Sequence, residues 1–225
     1  MITYLFDIDG TLVRAGGAGG RALAAVMLAR YGVTDGFRGI DASGRTDGWI
    51  VEQMIRAAFA RDPEAGEGDA IIAAYLAELD AELERQPTLV VLPDAERVLA
   101  WLGARPEVRL GVATGNVEAG ARLKLRRAAL AQHFSFGGYG CDSVVRPELV
   151  ARAMARSGHQ PDDTAIVVGD TVHDIAAARA CGALCVAVTT GGDTRATLEA
   201  AGADVVFDGL APICDWHAAR FATPA

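Results

Sequence analysis

Ile2-Thr3-Tyr4-Leu5-Phe6-Asp7-Ile8-Asp9-Gly10-Thr11-Leu12 opens with a short apolar run, Ile2 to Phe6, that stops at the Asp7 carboxylate. Runs of the same kind recur at 110–113, 165–168, 184–188 and 205–207. Each is short, continuous and rich in β-branched residues, without polar alternation. That pattern predicts strands buried on both faces, as in a parallel sheet covered by helices. Helical patterns lie between the runs, near 94–103, 118–130, 147–157, 173–181 and 194–201. Strands alternating with helices imply right-handed βαβ units and a doubly wound α/β core.

Residues 15–88 break this rhythm and read as helices alone, at 20–30, 47–59 and 69–85. The last carries Ile71, Ile72, Tyr75, Leu76, Leu79 and Leu83 on one helical stripe. A helical block between the first strand and the rest of the sheet predicts a cap domain over 15–88. The core domain is then 1–14 together with 89–225. The expected joints are Gly16-Gly17 on one side and residues 86–93 on the other.

The 225 residues are 51% hydrophobic, enough for a sizeable core. A net charge of −8 provides no field toward nucleic acid or an anionic membrane, so neither is an expected partner. Met1 to Asp7 meets a carboxylate too early for a signal peptide. No apolar run approaches the roughly 18 residues of a membrane span. The expectation is a cytoplasmic protein, monomeric or homodimeric. Cys141, Cys181, Cys185 and Cys214 form no C-x-x-C pair and read as structural. Lys124 is the sole lysine.

Ligands of an open parallel sheet bind beyond the carboxyl ends of its strands. Asp7-Ile8-Asp9-Gly10-Thr11 follows the first strand, Thr114-Gly115-Asn116 the second, and Gly169-Asp170-Thr171-Val172-His173-Asp174 a later one. A lone Asp at such a place reads as a helix N-cap. Asp7, Asp9 and Asp170 converging on one edge do not, because like charges this close repel. A divalent cation relieves that repulsion, and hard oxygen ligands with room for water and phosphate suit Mg²⁺. Asp174 reads as support for the metal site.

Tyr4-Leu5-Phe6-Asp7-Ile8-Asp9-Gly10-Thr11-Leu12 resembles the first motif of the haloacid dehalogenase superfamily. Val112-Ala113-Thr114-Gly115-Asn116 resembles its second motif, and Val167-Val168-Gly169-Asp170 with Asp174 its fourth. The motifs occur in order, with a helical cap after the first, and the phosphoglycolate-phosphatase-like branch is the most similar. Gly44-Arg45-Thr46-Asp47 in the cap fits that branch too. The resemblance implies hydrolysis of a small phosphorylated metabolite. In it Asp7 is the nucleophile that forms an aspartyl-phosphate, and Asp9 is the general acid and base. It implies Mg²⁺ on the Asp7 carboxylate, the Asp9 backbone carbonyl and Asp170. Thr114 and the backbone near Gly10, Thr11, Gly115 and Asn116 then bind the phosphoryl oxygens.

One departure stands out. The family's third motif usually supplies a lysine, whereas Val145-Arg146-Pro147 has arginine. Arg146 has the expected place and Lys124 the expected chemistry, so both are candidates for the cation at the phosphoryl group. Arg45 is a candidate for an anionic part of the substrate. Gly16-Gly17-Ala18-Gly19-Gly20 lacks the Lys-Ser/Thr of a nucleotide loop and reads as a hinge and helix start. His173 reads as a first-turn helix residue. Rivals are a sugar-phosphate mutase using the same two Asp residues, a dehalogenase, which would not need Asp9, and a non-catalytic binding protein. A phosphonate hydrolase would need a cap lysine, which is absent.

Overall fold

The computed structural model describes residues 1–85 and 89–221. In chain order the elements are β1 (Ile2–Phe6), β2 (Val13–Arg14), α1 (Ala18–Tyr31), α2 (Asp47–Phe59), α3 (Glu67–Arg85), β3 (Val90–Val91), α4 (Ala95–Gly103), β4 (Val108–Ala113) and α5 (Glu118–Arg127). A short 3₁₀ turn (Ala131–His133) leads to β5 (Phe136–Gly138), α6 (Arg146–Arg156), β6 (Thr164–Gly169), α7 (Val172–Ala180), β7 (Leu184–Val188), α8 (Arg195–Ala201), β8 (Val205–Phe207) and α9 (Ile213–Phe221).

Six strands form one parallel sheet in the order β5-β4-β1-β6-β7-β8. The chain builds outward from β1 on one side, then returns to build on the other, so the strand order reverses at β1. Every residue of β1 is buried. Tyr4 and Phe6 pack on one face with Leu99, Val112 and Val168. Leu5 packs on the other with Ala113, Leu149 and Val167. Burial on both faces explains the unbroken apolar run. Phe6 pairs with Val112 and Val168, so β1, β4 and β6 end level with one another.

α1, α2 and α3 gather around a separate apolar cluster that includes Leu23, Met27, Ile50, Met54, Ile55, Ile71, Tyr75 and Leu79. Val117, just before α5, joins it and extends the cluster to the sheet side. β2 and β3 pair antiparallel where the chain leaves the sheet for these helices and where it returns. Of the expected joint at 86–93, residues 86–88 lie outside the described residues. Gly17, at the other joint, takes a left-handed conformation and starts α1. The strands β2, β3 and β5 and the helix α9 are elements that the apolar runs do not announce. All four cysteines are free, and no helix among the described residues is long and apolar enough to cross a membrane.

Candidate active site

The level ends of β1, β4 and β6 bring Asp7, Thr114 and Asp170 together, as reasoned from the sequence. They line a cavity of about 520 Å³ with Asp9, Asn116, Lys124 and Arg146 on the sheet side. Gly16 to Gly20, Leu23, Phe37, Arg45, Ile50 and Tyr75 close it from the helical side. Thr11, Asp174 and His173 stand behind this lining.

Asp7, Asp170 and Asp174 are each at most 5% exposed, and each offers a carboxylate oxygen within 4.8 Å of the others. Burial first, then the neighbouring Asp174 and Asp9 charges against the pull of Arg146, lifts the Asp7 carboxyl to about 6. Burial, then Asp7 and Asp174, pushes Asp170 up to about 8. Asp170 accepts from Thr11 Oγ1 at 2.9 Å, and no lysine or arginine among the described residues forms a salt bridge with it. The backbone is cut to fit this carboxylate. A Cβ on Gly10, whose φ is +83°, would lie 2.4 Å from Asp170 Oδ2, and one on Gly191 would lie 1.6 Å from it. A set of crowded, buried, hard oxygen donors short of positive charge fits Mg²⁺.

Asp174 is already engaged. Its Oδ1 accepts from Arg146 Nε at 3.1 Å and Nη2 at 2.6 Å. Its Oδ2 accepts from the Thr171 amide and Oγ1, forming the capping box of α7. Arg146 Nη2 also lies 3.2 Å from Asp7 Oδ1, and Nη1 donates to the Gly44 carbonyl at 2.9 Å. Burial opposes the Arg146 charge, but Asp174 and Asp7 outweigh it and raise its pKa.

Asp9 points elsewhere. Its Oδ2 accepts from Lys124 Nζ at 2.5 Å and from Asn116 Nδ2 at 2.8 Å. Asn116 Oδ1 accepts from the same ammonium at 2.7 Å, and Asn116 Nδ2 also reaches Thr114 Oγ1. Lys124 is 4% exposed, so it is no ordinary surface charge. The two cations therefore serve different carboxylates: Arg146 faces Asp7 and Asp174, and Lys124 faces Asp9.

Arg45 is exposed on the helical side, with its guanidinium 4.6 Å from the centre of the Trp49 ring. His173 lies in the first turn of α7 and is held toward its neutral form by burial, with Arg45 and Arg146 adding to the effect.

Three features escaped the reading of the sequence. Thr190, Gly191 and Gly192 close one side of the cavity, with Thr190 Oγ1 donating to the Gly10 carbonyl at 2.5 Å. The signal was the glycine pair after the β7 run. Tyr75 reads in the sequence as part of an apolar stripe, yet it lines the cavity. Asp47, which the sequence offers only as the end of the Gly44–Asp47 motif with no role of its own, is buried and lines it as well, with burial lifting its carboxyl to about 6 against the pull of Lys124.

The family model described as haloacid dehalogenase-like hydrolase matches residues 2–182. A protein named "Probable phosphatase IndB" from Dickeya dadantii is 31% identical over 208 residues, covering 91% of this chain and 88% of the relative. A phosphoglycolate phosphatase from Rhodospirillum rubrum is 32% identical over 221 residues, covering 94% and 89%. Among solved structures, a hydrolase from Pseudomonas syringae superposes with a TM-score of 0.73 at 20% identity, covering 99% of this chain and all of the other.

Proposed function

Because this chain belongs to the haloacid dehalogenase-like hydrolase family and is a phosphoric monoester hydrolase, we propose that it hydrolyses a small phosphorylated metabolite with Asp7 as nucleophile and Mg²⁺ as cofactor. One observation carries this reading. Asp7 and Asp9 are two residues apart on one cavity floor but have different partners. Different surroundings are how two carboxylates divide nucleophilic and acid–base work.

Asp7, Asp170 and the Asp9 backbone carbonyl would hold the metal, with Asp174 fixing Arg146 behind them. When bound, Mg²⁺ neutralises charge and orients the phosphoryl group. An Asp7 oxygen attacks phosphorus, forming an aspartyl-phosphate as the bond to the leaving oxygen breaks. Asp9 takes up a proton from solvent as substrate binds and gives it to the leaving oxygen as the bond from that oxygen to phosphorus breaks, with the Lys124 ammonium close by for the phosphoryl charge. Asp9 then takes a proton from the water that attacks the phosphorus, returning free phosphate and Asp7. Thr114 and the amides near Gly10, Thr11, Gly115 and Asn116 bind the equatorial oxygens, and Arg146 stabilises their charge.

The helical side supports a choice of substrate. Arg45 offers an exposed guanidinium over the Trp49 ring, suited to a carboxylate. Two of the relatives described as phosphoglycolate phosphatases come from Rhodospirillum rubrum and Synechococcus elongatus. We therefore take a short phosphorylated carboxylic acid, 2-phosphoglycolate first, as the substrate class. The test is phosphate release from a panel of phosphorylated acids, sugars and alcohols, with Mg²⁺ and with excess chelator. Mg²⁺-dependent turnover is expected, and Arg45→Ala should raise KM for the carboxylated substrates alone. Full activity in chelator would remove the metal from the account, and inertness toward every monoester would remove the reaction. Sugar-phosphate turnover that needed a bisphosphate activator would indicate a mutase.

A further inference from the structure

Asp47 begins α2 on the helical side, yet its hydrogen bonds go to the sheet side. Its amide donates to the Gly115 carbonyl at 2.8 Å, and its Oδ2 accepts from the Val117 amide at 2.8 Å. These two groups flank Asn116, so one residue clasps the peptide on either side of it. The approach is close: a Cβ on Gly115 would lie 2.3 Å from the Arg45 carbonyl. Val117 precedes α5 and receives no cap from its own side chain, so the Asp47 carboxylate caps that helix from outside. Asn116 and Lys124, which both bond Asp9 Oδ2, hang from this clasped segment, Lys124 on α5 itself.

We propose that Asp47 is a positioning residue: by clasping residues 115–117 from the helical side it aligns Asn116 and Lys124 on Asp9, and so holds the acid–base carboxylate in place. The inference rests on the assignment of Asp9 as general acid. It requires no contact between Asp47 and the reacting atoms. What Asp47 controls is proton delivery to the leaving oxygen, and that makes its effect depend on how much the leaving group needs a proton.

The test uses kcat/KM for a series of substituted phenyl phosphates and an alkyl phosphate. In the wild type, Asp9 supplies the proton and the dependence on leaving-group basicity is shallow. Asp9→Asn should make it steep. Asp47→Ala should steepen it too, with a loss at least about 10-fold larger for the poorest leaving group than for the best, within the range general acid catalysis contributes. Asp47→Asn keeps an oxygen for the Val117 amide and should keep the shallow slope. Asp47→Leu, similar in shape but with no acceptor, serves if the alanine variant does not fold. An equal loss for all leaving groups in the acceptor-free variants, or an Asp47→Asn slope as steep as theirs, would overturn the proposal. Failure of the phosphatase reading itself would be distinct, since the wild type would then hydrolyse none of the series.

Discussion

Arg146 and Lys124 look like rivals for one task in the sequence, but at atomic distances they face different carboxylates. The reason is geometric. Arg146 spreads its donors over Asp174, Asp7 and the Gly44 carbonyl, while Lys124 places a single ammonium between Asp9 and Asn116. Position in the chain pointed to the first and side-chain chemistry to the second, and neither clue could reveal that each faces a different carboxylate. Lys124→Ala and Arg146→Ala should each lower kcat by about 10²-fold or more, the scale of one lost electrostatic donor. Arg146→Ala should also cost about 3–5 kcal/mol of stability, because it strands the buried Asp174 carboxylate without its cation. From sequence alone, removal of either charge would be expected to leave stability near normal. Arg146→Lys should not restore the rate, since one ammonium cannot serve Asp174 and Gly44 together. Steady-state kinetics and urea unfolding of the three variants check this, and a wild-type rate in either alanine variant would remove that cation from the mechanism.

Among the elements, legibility followed apolar continuity in the sequence. β1, β4, β6, β7 and β8 were readable as unbroken apolar runs, although β8, at the edge of the sheet, is only partly buried where burial on both faces was expected. β5 was not, because its Phe-Gly-Gly sequence answers to packing instead of strand propensity. A Cβ on Gly138 would lie 1.8 Å from the Leu149 carbonyl of α6, and one on Gly137 would lie 2.4 Å from Val112 Cγ2. β2 and β3 have two residues each, too few for a pattern to form. α9 is held by contacts far apart in sequence, such as Tyr4 Oη with His217 Nδ1 at 2.9 Å, which no local window contains.

α3 carries a prediction of its own. Glu67 in its first turn accepts from Arg61 at 2.7 and 2.9 Å, from Tyr31 Oη at 2.7 Å and from the Glu64 amide at 2.8 Å, joining α1 to the α2–α3 loop. The Arg61 hydrogen bonds, then those of the Glu64 amide and Tyr31, hold its carboxyl well below the usual range. The unfolded chain therefore binds the proton more tightly. The contribution of Glu67 is fully present above the unfolded value, about 4.3, and is lost as pH falls toward the folded one. Thermal melts of wild type and Glu67→Gln should differ most at neutral pH and converge on acidification. A gap that does not change with pH would contradict this.

At the scale of the whole molecule, the net charge of −8 opposes an anionic substrate, so binding depends on the cavity's local balance. Asp7, Asp9, Asp47 and Asp170 line that cavity against Arg14, Arg45, Lys124 and Arg146. Burial and mutual repulsion push the Asp7 and Asp170 carboxyls toward their neutral forms, and a divalent cation beside them would keep both ionised while adding positive charge for a phosphate dianion. The central claim is that Asp7 becomes covalently phosphorylated. Its most direct test is to quench the protein in acid during turnover of a phosphate monoester with Mg²⁺, reduce it with borohydride, and map the modified peptide by mass spectrometry. The account predicts homoserine at position 7, absent when chelator replaces the metal. Steady turnover with Asp7 unmodified would contradict it.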